Sequence, residues 1–298
     1  MPKINFLGNM KIYAIISALL LSVSIGALAI SGLTFGVEFR GGTVVNIATD
    51  KVLQADQVRS AFADAGLEDT TVQPVVDGGF IVRSGERDPD QANRAFAEAA
   101  AVLGLDREEG MITTIGPGWG QSVTNAALLA LVLSIAAILL YISLRFEYKM
   151  SVTAVIALLH DIIIVLGVYS LAGREVTPNT IAALLTIMGY SLYDTVVVFH
   201  RMKENTTALV GTTFTRMANT SINQVLVRTL NTSVTSVVPV VALLLFGGET
   251  LMDFAFALTV GLLIGTYSSI GVASPIYVLW KEREPKFRAL AKRYAQAS

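Results

Sequence analysis

Six apolar runs, each long enough to cross a bilayer as a helix, leave this chain of 298 residues few ways to fold. A helix needs about 20 mostly apolar residues to span the hydrocarbon layer. The first run lies near Met10 to Thr34. After a long polar interval the other five follow closely, at 122 to 145, 150 to 172, 178 to 200, 229 to 246 and 250 to 276. Lipid offers the backbone no hydrogen-bond partner, so each run must satisfy its own N–H and C=O groups as a helix. Thr177-Pro178 supplies an N-cap and a first-turn proline for the fourth. Only 15% of residues are charged and mean hydropathy is +0.60, against about 25% charge in a soluble domain. The expected class is a polytopic α-helical membrane protein. Its fifth span is the least apolar, because Thr229, Asn231, Thr232, Ser233, Thr235 and Ser236 crowd its first half.

Lys and Arg in the short loops set the orientation. One side collects Lys3, Lys11, Arg145, Lys149, Arg201, Lys203, Arg216 and Arg228, then the basic tail from Lys281 to Arg293, 14 cations in all. The opposite short loops hold Arg174 with Glu175, and Glu249. Both termini are therefore expected in the cytoplasm, with the segment between spans one and two outside. That segment, Gly36 to Gln121, carries 14 Asp and Glu against 7 Lys and Arg, which brings the net charge to -1. A cleaved signal peptide is the alternative for the first span, since Ala27-Leu28-Ala29 resembles a cleavage site. The run from Ile12 to Ile30 exceeds the 7 to 15 apolar residues of a signal peptide, which favours an uncleaved anchor.

Within the outer segment the periodicity changes repeatedly. Thr43 to Ala48 alternates as a strand; Asp50 to Gly66 places Val58, Ala61, Phe62 and Ala65 on one helix face. Thr71 to Val76 and Phe80 to Arg83 flank Asp77-Gly78-Gly79, a hairpin signal. Asp88-Pro89 opens a helix to about Leu103, and Met111 to Ile115 is a last strand. The order β-α-β-β-α-β is that of a ferredoxin-like unit. Gly116 to Gly120 leads back to the membrane. The expected organisation is a first membrane helix over 1–35, an outer α+β domain over 36–121, a five-helix bundle over 122–280 and a basic cytoplasmic tail over 281–298.

Several chemistries are excluded or starved. With no cysteine there is no disulfide framework, thiolate nucleophile or Cys-ligated metal, and two histidines, His160 and His200, leave little for a metal site. No Gly is followed by Lys, so there is no phosphate loop for nucleotide hydrolysis. No basic excess points to nucleic acid.

Charge inside a span costs at least about 2.5 to 3.5 kcal/mol at its centre, so each such residue needs a reason. Asp194 lies seven positions before Arg201, about 10 Å inside the expected cytoplasmic end of span four. Ser191 and Thr195 share its face, and Tyr190 is one turn earlier. Asp161 stands near the middle of span three beside His160, while Arg228 opens the polar half of span five, continued by Thr232 and Thr235. Asp194 and Arg228 can be read as a structural ion pair. They can also be read as a titratable carboxylate with a fixed cation beside it, in a hydrated seam of the kind that carries protons. Asp161 stays open between a hydrogen-bonding role and a place in the same relay.

These residues carry a resemblance. Gly36-Val37-Glu38-Phe39-Arg40-Gly41-Gly42 resembles the Gly-Ile/Val-Asp/Glu-Phe-x-Gly-Gly motif of the SecD/SecF protein-export family, and Ala157 to Asp161 matches that family's third-span pattern. The run from Gly189 to Asn205 is similar to the fourth-span signature of its SecF branch; Arg228 to Ser233 and Gly265 to Ile270 match two further motifs. Tyr193 stands where that signature has Asn and His200 where it has Asp. The resemblance implies a membrane fold of the resistance-nodulation-division type, pairing six spans with six of a SecD partner. It also implies an accessory role to the Sec channel, using the proton gradient to promote passage of a preprotein across the bacterial plasma membrane. The proton-pathway acid then falls on Asp194 and its arginine on Arg228, with no cofactor beyond the coupling proton.

Two rival readings remain from the sequence: one half of a proton-driven exporter of small molecules, and a scaffold without a proton pathway. An intramembrane aspartyl protease lacks its second motif, because Asp161 is preceded by Leu158-Leu159-His160. Gly261 and Gly265 form a Gly-x-x-x-Gly pair in span six, expected to mark a close helix contact within the chain or against SecD. The basic tail is expected to face lipid headgroups.

Overall fold

The computed structural model describes residues 4–67, 70–75, 78–106, 109–247 and 249–295, with the side chains of 117, 249, 250 and 295 left aside. Lys3, Val76, Asp77 and the side chain of Glu249, which entered the expectations above, lie outside the described residues. Two compact units result. One gathers Met1–Thr34, Leu131–Arg174 and Asn179–Ser298; the other gathers Phe35–Ala130 with Glu175–Pro178.

The chain opens with α1 (Met10–Ile30), followed by the short strand β1 (Thr34–Phe35) and a single turn of helix, α2 (Val37–Arg40). The outer unit then runs β2 (Gly42–Ile47), α3 (Ala55–Asp64), β3 (Thr71–Pro74), β4 (Phe80–Ser84), α4 (Pro89–Leu103) and β5 (Gly110–Ile115). Its sheet has the order β3-β4-β2-β5, antiparallel throughout, with Val45 opposite Val82 on one side and Ile112 on the other. Val58, Phe62, Ala95, Phe96 and Ala99 of the two helices bury against Val45, Ile47, Phe80 and Val82, the single core such a small unit can build. The helix over 50–66 begins later than its periodicity predicts, at Ala55, because Gln54 and Gln57 close a capping box there. By contrast α4 starts where its signals lie: Asp88 accepts from the Asp90 N–H at 2.9 Å, Pro89 follows, and Gly104 ends the helix at φ +69°.

The remaining helices are α5 (Pro117–Arg145), α6 (Tyr148–Leu171), α7 (Pro178–Thr207), α8 (Phe214–Phe246), α9 (Glu249–Ser268), α10 (Ser274–Lys281) and α11 (Pro285–Ala295), with a two-residue strand β6 (Glu175–Val176) before α7. Among the described residues six stretches are long and apolar enough to cross a membrane: Leu7–Ile30, Gly118–Arg145, Tyr148–Leu171, Pro178–Thr207, Phe214–Phe246 and Leu251–Lys281. The fifth departs most from expectation, since it starts at Phe214 rather than at 229. Thr213 caps it by accepting from the Arg216 N–H, and its polar first half hides from hydropathy a buried face of Phe214, Met217, Ala218, Ser221 and Ile222. The asparagines there have partners: Asn219 and Asn223 bond the backbone of Ile4 and Leu7, fixing the segment before α1. Arg228 accordingly sits in the middle of a helix, and does not open one.

Between α9 and α10 the helix widens into a π turn at Ser269–Ala273. Such turns mark helices that redirect side chains at functional positions.

Candidate functional site

Three helices of the membrane unit converge on Asp161. The α6 carboxylate is 1% exposed; its Oδ2 accepts from Ser191 Oγ on α7 at 2.6 Å and from Ser268 Oγ on α9 at 2.8 Å. Its Oδ1 lies 3.0 Å from His160 Nδ1. One turn further along α7, the hydroxyls of Thr195 and Ser269 meet at 2.9 Å. Small residues make this approach possible. A Cβ on Gly261 would stand 2.3 Å from Ile187 Cδ1, and one on Gly265 would stand 2.9 Å from Ser191 Cβ. The Gly-x-x-x-Gly pair is thus a contact within the chain, with α7 pressed against α9.

Asp194 follows Ser191 by three residues on α7 and is also buried, at 2% exposure, but among the described residues its Oδ2 has no hydrogen-bond partner. The Tyr190 hydroxyl and the Thr229 Oγ1, from α7 and α8, are likewise buried and unbonded. Unsatisfied polar atoms are few in folded proteins, and each needs an explanation. Burying a polar group costs free energy unless it is hydrogen-bonded.

The structural ion pair of Asp194 and Arg228, one of the two readings above, is not formed among the described residues, although the guanidinium is near enough for its charge to act on the carboxyl. Arg228 Nη2 donates instead to the Tyr193 hydroxyl at 2.6 Å, with the guanidinium 5.8 Å from that ring, and both residues are exposed. Tyr193 fills the position where the fourth-span signature carries Asn, and its longer side chain reaches the guanidinium first. The expected seam also needs redrawing. Ser191 and Thr195 belong to it, but the hydroxyls of Thr232 and Thr235 donate to carbonyls of their own helix. Their places are taken by Thr229, which is buried, and by Ser233, whose Oγ lies 2.7 Å from Thr266 Oγ1.

His200, the other departure from the signature, is exposed and sits 3.3 Å from Glu204 one turn on. Sequence reading missed Ser268, Ser269 and the Arg174–Asp253 ion pair at 2.7 Å. The serines had a signal, since they fall in the Gly265 to Ile270 motif. Among the described residues no group of three His, Asp or Glu side chains is placed to hold a metal.

The glycine motif after α1 lies in the outer unit. Gly36 precedes α2 and donates its N–H to the Val176 carbonyl. Gly41 has φ +75° and Gly42 φ +141°, where a Cβ would come within 2.4 Å of the Ser84 carbonyl oxygen, so the chain can enter β2 beside β4 only without a side chain. Phe39 offers its carbonyl to the close approach of Gly120, and Glu38 Oε2 is buried without a partner.

Comparison with known proteins matches the same regions. Residues 96–283 fit the family described as "Protein export membrane protein SecD/SecF, C-terminal", and residues 26–51 fit the SecD/SecF GG motif. The protein translocase subunit SecF of Streptomyces coelicolor is 38% identical over 97% of this chain and 80% of its own length. That of Petrotoga mobilis is 34% identical over 96% of this chain and 99% of its own. The crystal structure of SecDF from Thermus thermophilus, a translocon-associated membrane protein, superposes with a TM-score of 0.86 at 34% identity, over 95% of this chain and 39% of that one. The family match covers the helices that build the seam, the GG match covers the turn into β2, and the chain belongs to the SecD/SecF family of protein-export membrane proteins, as a member of its SecF branch.

Proposed function

We propose that this chain is a subunit of the Sec protein translocase that works beside SecD and is driven by protons passing through Asp194. Membership in a family of translocase subunits, which is not an enzyme family, supports the first part. The fused SecDF relative, of which this chain spans 39%, supports association with SecD. The Sec channel and a translocating preprotein complete the assembly. The six spans make it a multi-pass protein of the bacterial plasma membrane. Both termini face the cytoplasm in this reading, and the antiparallel β3-β4-β2-β5 unit is a ferredoxin-like domain outside it.

The observation that carries the proton reading is the contrast between two buried acids on adjoining helices. Asp161 is tied down by two hydroxyls and an imidazole, whereas Asp194 has one carboxylate oxygen with nothing to bond. Burial with one oxygen unbonded makes the packing around Asp194 sensitive to whether the acid carries its proton. Loading and releasing a proton therefore favours two different packings of α7 against its neighbours, and a proton gradient can drive the cycle between them. Arg228 never deprotonates; it can serve as the fixed cation that meets the charged acid in the second packing.

The test is gradient-dependent completion of preprotein translocation into membrane vesicles, with the complex shown to be intact. Asp194→Asn keeps size and hydrogen bonding but cannot titrate, so it should remove the dependence on the gradient. Arg228→Lys should lose part of it, because the planar fork of donors is gone, and Arg228→Ala should lose more. Full gradient-dependent activity in an intact Asp194→Asn complex would leave Asp194 a structural residue and the chain a scaffold.

A further inference from the structure

The ends of α6, α7 and α10 and the start of α11 enclose a cavity of about 350 Å³ on the basic side of the membrane unit, away from the proton seam. Lys203 of α7, Lys281 of α10 and Lys286 of α11 line it, together with Glu147 at the start of α6 and a base of Met150 and Tyr277.

Counting partners shows which of these charges are free. Glu147 accepts from Lys281 Nζ at 2.7 Å and from the Tyr277 hydroxyl at 2.6 Å. Glu284 accepts from Lys149 Nζ at 2.7 Å and lies 3.1 Å from Lys281. Partial burial pushes the Glu284 carboxyl upward, yet the two lysines outweigh it and hold it below the usual carboxylate range, so it remains an anion bound to them. Those two carboxylates and two ammonium groups balance. Lys203 and Lys286 are left over: among the described residues neither forms an ion pair, Lys203 donating to the Arg145 carbonyl at 3.3 Å and lying 5.9 Å from the Phe146 ring, and Lys286 lying 5.6 Å from the Phe287 ring.

The cavity also sits at a definable depth. Tyr148 and Trp280 meet edge-on at 5.7 Å beside Lys149, an aromatic pair of the kind that marks the boundary between hydrocarbon and headgroups. Just beyond, α11 turns Phe287 inward onto Phe214, 4.7 Å between ring centres, and leaves Lys286 and Arg288 exposed. That is the pattern of a helix lying along a membrane surface. Two uncompensated ammonium groups facing one cavity between helix ends, at headgroup depth, suit an anionic headgroup.

We propose that this cavity binds the phosphate of an anionic phospholipid, with Lys203 and Lys286 as its ligands and the Lys281–Glu147–Tyr277 set as a rigid wall. A bound headgroup bridges the end of α7, the helix that carries Asp194, to α11. Phosphate binding itself does not depend on the proton reading or on the orientation proposed above, and it is measured without translocation.

The experiment titrates the purified full chain in uncharged detergent with dioctanoyl phosphatidylglycerol, dioctanoyl phosphatidylcholine or inorganic phosphate, counting bound molecules by native mass spectrometry. The chain should prefer phosphatidylglycerol to phosphatidylcholine by about tenfold or more, the size expected of two lysines. Lys203→Gln with Lys286→Gln should bring that preference to within about twofold, and the paired arginine replacements should keep it. Should the double variant fail to fold, either single glutamine replacement reads the same loss at about threefold. Arg288→Gln, Lys292→Gln and Arg293→Gln together should leave the preference intact, since they lie outside the cavity. A preference that survives loss of Lys203 and Lys286, or that vanishes with the three outer residues, overturns the site. Displacement of the lipid by millimolar inorganic phosphate would overturn the lipid as its source and assign the cavity to free phosphate.

Discussion

Asp161 and Ser268 give the most direct measure of how much a single hydrogen bond matters in the seam. Ser268 Oγ supplies one of two hydroxyl donors to a carboxylate that is 1% exposed. Removing one partner of a buried hydrogen bond leaves the other unsatisfied, at a cost of about 1 to 3 kcal/mol. Ser268→Ala, or Ser191→Ala, is therefore expected to destabilise the isolated chain in detergent by about that amount, read as a lower midpoint of thermal unfolding. Thr232→Ala and Thr235→Ala remove hydroxyls bonded only to their own helix and should fall within about 0.5 kcal/mol. Equal effects from both pairs would restore the seam expected from sequence. The acids were legible there because a carboxylate stands out in an apolar run. Ser191 was legible as a seam residue and Ser268 as part of a motif, but their bonds to Asp161 were not, because the direction of a serine depends on how the helices cross. The direction of Arg228 was also out of reach, since nothing in a linear pattern says that a tyrosine hydroxyl reaches a guanidinium before a carboxylate does.

Among the elements, legibility followed the chemistry of the ends. The start of helix α4 could be read because Asp88 and Pro89 each carry a conformational signal. The first half of α8 could not, because its asparagines and threonines depress hydropathy while bonding the backbone of Ile4 and Leu7. The outer unit has its own apolar core, so the segment from Gly42 to Ile115, expressed alone, is expected to give a dispersed NMR spectrum. Its stability should also report one acid. Glu109 accepts from the Asp106 N–H and the Thr49 hydroxyl, and these bonds hold its carboxyl below the usual value of 4.5. A carboxyl depressed by folding contributes stability at pH values above its unfolded value, and that contribution is lost as pH falls through the folded value. In urea titrations from pH 7 to pH 3, Glu109→Gln should flatten the acid side of the stability profile. An unchanged profile would mean that the two bonds give no preference to the charged form.

At the scale of the whole molecule, the spans divide into those that bury themselves and those that do not. Within their most apolar windows, Tyr148–Leu171, Pro178–Thr207 and Leu251–Lys281 are 56%, 50% and 56% buried, against 17% for Leu7–Ile30 and, as the most exposed pair, 6% for Gly118–Arg145 and 11% for Phe214–Phe246. Lipid suits the first of the exposed pair, whose outward residues include Leu129, Val132, Leu133 and Leu140. It suits the second poorly, because Arg228, Asn231 and Thr235 are exposed there beside Tyr193 of α7. Since the chain has no cysteine, single cysteines can test both orientation and partner. One at Asp90 should react with an impermeant maleimide added outside, and one at Lys203 should not; the reverse would invert the topology. For the partner, a charged and amide-bearing stripe in the membrane is costly against hydrocarbon and gains when another protein covers it. SecD is the protein expected to do so. Thr235→Cys, in cells carrying SecD with cysteines scanned along its own spans, should give an oxidised disulfide product. Leu133→Cys on α5 should give none. Crosslinks from Leu133 and none from Thr235 would place SecD on the opposite side of the bundle, and would leave the exposed arginine of α8 facing lipid.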